Sequence, residues 1–297
     1  TQILKIVDFL NARARENQWG FVDFNRPMVA INQWEQAADS MYTLCGKDRI
    51  HPSTDGHLVM AYLFLKAQGL AGKLVADIRI DGAGKKVTRS DNCRVSDLSV
   101  SSDNLTFTYE AKSLPYPIDT SYYDNEKHTQ ADALSVIPFM DEMNYEGLSV
   151  SGLSDGYYGL TIGGEFIGRF TARELERGIN MALLQNTPQY KQAMKIRQMN
   201  EERWLKERKM REFYWVEYNL MRKTGMLWAC DEAAVDTLRK YRPHDIFLQW
   251  NGDLWLQYMH KGIREDCVNE QQDLVDRIYE QNKPIPLQIE IKKFSDL

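Results

Sequence analysis

The chain has 297 residues, 43% of them hydrophobic and 27% charged, and a formal net charge of -5. Enough apolar residues are present for one large or two ordinary domains, and no apolar run approaches the about 20 residues of a membrane-spanning helix. No basic stripe marks a nucleic-acid footprint: Lys and Arg gather between Lys191 and Arg211, where Glu201, Glu202, Glu207 and Glu212 interleave them as on a solvated helix face.

The chain opens inside an amphipathic helix, with Ile3, Val7, Leu10 and Ala14 at helical spacing, an end near Gln18 and Gly20 as a stop. No signal-peptide pattern precedes it, which leaves room for a leader removed upstream. Phe21-Val22-Asp23-Phe24 then reads as a short buried strand. Arg26 to Asp39 reads as irregular or helical, with Pro27 near its start. Ser53 or Thr54 caps a further helix from about Asp55 to Gln68, with Gly69 past its end. Helix, strand, loop, helix is the order at the closing edge of a doubly wound α/β sheet. One strand cannot make that sheet, so the expectation is that most of it lies before residue 1.

From about Leu74 the period changes to two. Val75–Ile80, Cys93–Val100, Leu105–Ala111, Gly147–Val150, Tyr157–Ile162 and Glu165–Phe170 read as short antiparallel strands joined by turns at Asp81–Gly84, Ser154–Gly156 and Gly163-Gly164. A small β-sandwich is the expected result. Thr171-Ala172-Arg173-Glu174 is a capping box for a helix carrying Leu175, Ile179 and Leu183 on one face. Thr187-Pro188 starts a long helix running without a breaker to Gly225. Further helices are expected over Asp231–Lys240 and Asp253–Gln281, and Leu287–Ile291 is a terminal strand. The long helices are expected to pair as an antiparallel hairpin. The domain reading is therefore 1–72 (α/β), 73–170 (β-sandwich), 171–284 (helical) and 285–297 (terminal strand).

The chemistry-bearing stretch is Asp48-Arg49-Ile50-His51-Pro52-Ser53, in a loop that ends at a helix N-terminus. If the loop curls, the Asp48 carboxylate accepts the Nδ1 proton of His51 and leaves Nε2 free as a base, which is the orienting half of a hydrolytic triad. By spacing alone the pair is equally readable as an ordinary loop contact beside the cap at Ser53. His57 with Asp55 and His51 invites a metal reading, but it falls in the first helical turn and no third ligand is evident; no metal and no cofactor is expected. Gly152-Leu153-Ser154-Asp155-Gly156 matches Gly-x-Ser-x-Gly, yet an alternating strand pattern follows where a nucleophile elbow needs a helix, so a turn is expected. Trp204, Phe213, Tyr214, Trp215, Tyr218, Trp228, Trp250 and Trp255 offer rings for sugar stacking, but helical spacing favours hairpin core. His128 and His244 fall in loop-like surroundings and His260 in a helix, none with a partner pattern. Cys45, Cys93, Cys230 and Cys267 have no C-x-x-C pair, which suits neither zinc nor a dense disulfide scaffold and leaves room for one or two bridges.

Asp48-x-x-His51-Pro52-Ser53, followed by Gly56-His57 and a helix, resembles the last conserved block of the SGNH (GDSL-like) hydrolase family, and Phe21–Phe24 resembles the strand before it. Val150–Leu153, Gly156–Gly164 and Phe170–Leu184 resemble the C-terminal extension of a bacterial subgroup. The resemblance implies the closing part of a flavodoxin-like α/β/α domain with Asp48 and His51 as orienter and general base, acting on an ester or an acylated carbohydrate. A secreted or periplasmic location follows from the resemblance alone. The family's Gly-Asp-Ser nucleophile block, its oxyanion-hole glycine block and its Gly-x-Asn-Asp block have no counterpart here. The implied nucleophile therefore comes from a missing N-terminal segment. The competing expectation is a glycan- or protein-binding module with a vestigial Asp-His pair.

Overall fold

In a computed structural model of the chain, residues 2–121 and 128–294 are described. They form a mixed α/β structure with two sheets and a long helical region, in two compact units: the described residues before 192 together with those after 283, and residues 192–283.

The first unit begins with α1 (Gln2–Asn17) and α2 (Asn25–Glu35). Ala14 is the one buried residue of α1, and α2 buries none. Ile3, Ile6, Phe9 and Leu10 of α1 and Val29 and Trp34 of α2 are exposed. The expected strand Phe21–Phe24 is absent: the segment is half-buried coil and pairs with no strand among the described residues. A strand needs a neighbour to satisfy its backbone, and nothing described runs beside this one. Helix α3 (Thr54–Ala67) follows, ending before Gly69 at φ +72°. Leu58, Val59 and Tyr62 of α3 share a core with Leu44, Ile118, Ile137, Phe139 and Met140.

The sandwich is built from β1 (Ala76–Asp81), β2 (Lys86–Asp91), β3 (Cys93–Val100), β4 (Asn104–Ala111), β5 (Glu146–Ser151), β6 (Tyr157–Ile162), β7 (Glu165–Thr171), β8 (Ile179–Asn180) and β9 (Leu287–Lys293). One sheet runs β2-β1-β5-β8 and the other β3-β4-β9-β6-β7. Alternating residues of both sheets meet in one core, among them Ile78, Ile80, Phe107, Leu148, Leu160 and Ile289. The pairing is not all antiparallel: β1 and β5 run parallel, with Ile78 opposite Leu148 and Ile80 opposite Val150. Edge strand β2 had no sequence signal because Val87 is its only apolar residue. Strand β9 lies between β4 and β6, so that Ile289 faces Phe107 on one side and Ile162 on the other.

Short α-helices flank the strands of this unit. α4 (Phe139–Glu142) precedes β5, and α5 (Ala172–Arg177) opens with the expected capping box, in which Thr171 Oγ1 accepts the Glu174 N–H at 3.2 Å. The expected helix through Leu183 stops early. Gly178 at φ +94° turns the chain, and Ile179 enters β8 rather than a helix face.

Helix α6 (Pro188–Val216) runs into a π turn at Glu217–Met221, and Gly225 at φ +74° ends the segment. Then come α7 (Glu232–Tyr241), α8 (Ile246–Tyr258) and α9 (Lys261–Gln281). The helix expected over Asp253–Gln281 is thus two helices, broken where His260 takes extended backbone as the N-cap of α9. Gln192 Nε2 reaches the Gln281 carbonyl at 2.8 Å, Lys206 Nζ meets Glu270 at 2.6 Å and Arg264 lies over Phe213 at 4.7 Å. These contacts run in opposite sequence directions, so α6 and α9 are antiparallel. The buried stripe is Met210, Phe213, Val216, Leu220 and Met221, packed on Leu238, Leu248 and Trp255. All four cysteines are free thiols.

Glu146 is fully buried in the sandwich, where its carboxylate accepts from Tyr109 Oη at 2.8 Å and Gln189 Nε2 at 3.2 Å. Burial outweighs those hydrogen bonds and pushes its pKa up to about 7. Between about pH 4.5 and 7 the native chain holds a proton that the unfolded chain has released, so stability falls as pH rises through that window, by up to about 1.4 kcal/mol per pH unit. Glu146→Gln is expected to flatten that slope, read by urea unfolding across the window. A slope unchanged in the variant assigns it to another group.

Candidate active site

Loop 44–53 is closed by backbone bonds at its neck. The Leu44 carbonyl accepts both the N–H and the Oγ–H of Ser53, each at 3.1 Å, and Cys45 bridges Pro52. Farther out, the Gly46 N–H donates to the His51 carbonyl at 2.8 Å and the Arg49 N–H to the Gly46 carbonyl at 2.9 Å. Arg49 pays for this reversal with a left-handed backbone, φ +57°. Asp48 Oδ1 accepts the N–H groups of Ile50 (2.9 Å) and His51 (3.1 Å), a side-chain turn of the kind short acids make. That fixes the carboxylate so that Oδ2 lies 2.5 Å from His51 Nδ1. In the neutral imidazole this contact makes Nδ1 the donor and leaves the Nε2 lone pair free. The His51 hydrogen bond, followed by the two backbone N–H donors, holds the Asp48 pKa down at about 2. His51 is 84% exposed and Asp48 47%. Among the described residues no hydroxyl hydrogen-bonds to Nε2.

Ser53 is the N-cap of α3, yet its Oγ caps nothing in the helix: its single proton is shared between the Leu44 carbonyl and Asp55 Oδ1. The Gly56 N–H donates to the same oxygen at 2.8 Å. Asp55 is buried, and its Oδ2 has no hydrogen bond but lies 3.8 Å from Nδ1 of His128. The His128 ring meets Tyr42 edge-on, with centroids 5.9 Å apart. Burial, then the charges of Asp55, Glu35 and Asp132, raise the Tyr42 pKa to about 12. His128 thus has partners after all. Sequence spacing missed them because Asp55 and Tyr42 lie far from it along the chain. The Ser-x-Asp at the start of α3 was the available signal for Asp55.

The remaining predicted positions fall elsewhere. His57 is exposed on the first turn of α3, and among the described residues no three His, Cys, Asp or Glu side chains form a metal-binding group. Ser154 sits in the turn between β5 and β6, its Oγ 3.1 Å from Tyr158 Oη and 2.9 Å from Lys293 Nζ, with strand on either side. The aromatic set divides: Phe213 and Trp255 are buried in the helical core, whereas Trp204, Tyr214, Tyr218, Trp228 and Trp250 are exposed. Tyr214 and Tyr218 flank the buried face rather than form it.

Residues 194–283 match a family described as the diltiazem deacetylase C-terminal helical domain. The chain is similar to a solved structure titled a gut microbial diltiazem-metabolizing enzyme, with 42% sequence identity over 98% of this chain and a TM-score of 0.92. The chain spans 66% of that protein's length. No curated protein matches it.

A Cβ added to Gly56 would lie 2.0 Å from the Leu44 carbonyl oxygen, in the neck of the Asp48–His51 loop. Gly56→Ala is therefore expected to cost about 1–3 kcal/mol of stability and to shift the His51 ring resonances. Gly20→Ala, with open space around it, leaves both unchanged. Thermal unfolding and two-dimensional NMR of the two variants test this.

Proposed function

We propose that this chain is part of an ester hydrolase of SGNH type, in which His51 is the general base and Asp48 its orienter. The observation that carries the proposal is the 2.5 Å contact between Asp48 Oδ2 and His51 Nδ1 in a loop that leaves His51 84% exposed. A vestigial pair in a binding module predicts a histidine buried or bonded on both nitrogens, the opposite of this arrangement, and an exposed aromatic platform, with which the exposed Trp204, Tyr214, Tyr218, Trp228 and Trp250 agree. A second support is the likeness to a diltiazem-metabolizing enzyme and to the C-terminal helical domain of a diltiazem deacetylase, since removal of an O-acetyl group is ester hydrolysis.

In the proposed reaction Nε2 of His51 takes the proton of a serine hydroxyl as that oxygen attacks the ester carbonyl. Asp48 holds the imidazole tautomer and stabilises the imidazolium that forms. His51 returns the proton to the leaving alcohol, and water repeats the cycle on the acyl-enzyme. The serine and the oxyanion hole come from a segment outside this chain, which packs over the exposed apolar faces of α1 and α2. Ile3, Ile6, Phe9 and Leu10 give that segment an apolar surface to bury. The substrate is an acetylated small molecule or carbohydrate, and the sandwich and helical region are accessory to the site.

The test is hydrolysis of p-nitrophenyl acetate and acetylated xylan by the protein with its preceding segment. His51→Ala is expected to lower kcat/KM by about 10³-fold, and Asp48→Asn by a smaller factor with KM little changed. Because Asp48 stays ionised above about pH 2, an acid limb in the wild-type profile belongs to another group. Robust turnover by residues 1–297 alone, surviving loss of His51, would overturn the proposal.

A further inference from the structure

The helical unit carries a second site that the hydrolytic reading leaves unused. Trp228 is 45% exposed and holds a left-handed backbone, φ +66°, which is strained for so large a residue. What holds it there is Glu217, a buried carboxylate in the π turn. One oxygen accepts the Trp228 N–H at 2.9 Å and the other the indole N–H of Trp255 at 2.8 Å. The Trp228 ring stacks on Phe213 at 6.4 Å and meets Tyr214 and Tyr218 edge-on, each at 6.0 Å. A buried acid thus holds the backbone of an exposed tryptophan, while Phe213, Tyr214 and Tyr218 position its ring, in a π turn of the sort that clusters at functional sites.

The indole forms part of a pocket of about 330 Å³. Met210, Tyr214 and Trp228 supply an apolar part of its lining, and Lys261, Glu265 and Asn269 a polar part. Lys261 and Glu265 are ion-paired at 3.3 Å and both largely exposed, so their remaining hydrogen-bonding capacity faces water. Arg264, also in the lining, is committed to the backbone: its Nη1 donates to the carbonyls of Tyr258 and Met259 at 2.7 Å each.

We infer that this pocket binds one sugar ring of a saccharide, with its C–H face on Trp228 and its hydroxyls on Lys261, Glu265 and Asn269. The volume lies at the low end for small-molecule sites and suits one ring. An aromatic ligand would strip water from the polar residues and return no hydrogen bond, a cost that sugar hydroxyls avoid. The inference stands apart from the ester-hydrolase reading, because binding is read without turnover.

The experiment titrates the intact chain with methyl β-glycosides of glucose, galactose, xylose and N-acetylglucosamine, following indole fluorescence and saturation-transfer NMR. At least one is expected to bind saturably at millimolar concentration. Asn269→Ala, at an exposed helix position, and Trp228→Ala each weaken it by about tenfold. Trp228→Phe retains part of the affinity and guards against a folding artefact, while Trp250→Ala, outside the pocket, changes nothing. The inference is overturned if no glycoside binds saturably, if Asn269→Ala binds as wild type, or if toluene binds more tightly than every glycoside.

Discussion

The Leu44 carbonyl oxygen is the point on which the candidate site turns. It accepts two hydrogen bonds from Ser53 and lies so close to Gly56 that a methyl group there would collide with it. Those contacts tie both ends of loop 44–53 to the first turn of α3. With the neck fixed, the loop can close only by reversing at Arg49, and the reversal presents both backbone N–H groups to one oxygen of Asp48. The other oxygen is then aimed at His51. The imidazole is positioned by backbone geometry carried outward from a fully buried residue, which is how an exposed side chain keeps a defined orientation.

The surroundings of that loop follow the same logic at larger scale. Helix α3 packs its Leu58, Val59 and Tyr62 on Ile118, Ile137, Phe139 and Met140, and Tyr62 Oη reaches Glu142 at 2.7 Å just ahead of β5. The loop's foundation therefore shares a core with the segment that leads into the sandwich. The sandwich in turn is completed by β9, which arrives after the whole helical unit and fills the centre of the five-stranded sheet. An interior strand placed last in sequence makes the first unit depend on the chain returning to it from residue 284 onward.

Two buried glutamates show how context assigns a role to one residue type. Glu146 sits among apolar strands with one hydroxyl and one amide donor, and burial favours its protonated form. Glu217 sits in a π turn where a tryptophan indole and a backbone N–H each find one of its oxygens, and it fixes the Trp255 ring and the Trp228 backbone. Neither is marked in the sequence, where both look like ordinary polar positions. Their partners, Tyr109 and Gln189 for one and Trp255 and Trp228 for the other, are assembled by packing.

Local signals in the sequence determined most elements by themselves. Alternation gave the main strands, the Thr171–Glu174 box opened α5, Pro188 and Gly225 bounded the long helical segment, and Asp48-x-x-His51 predicted the hydrogen bond that the loop makes. These succeed because capping, turn chemistry and a three-residue contact depend on neighbours along the chain. Tertiary structure alone decided the rest. Phe21–Phe24 has strand composition but no paired neighbour among the described residues, Ile179 left the helix pattern for β8, and β1 chose β5 as a parallel partner although β2, β3 and β4 lie between them in sequence. Likewise Asp55 found His128, and Glu217 captured the Trp228 backbone N–H. Each of these depends on a group distant in sequence, whose approach is set by burial of the core and leaves no periodicity to read.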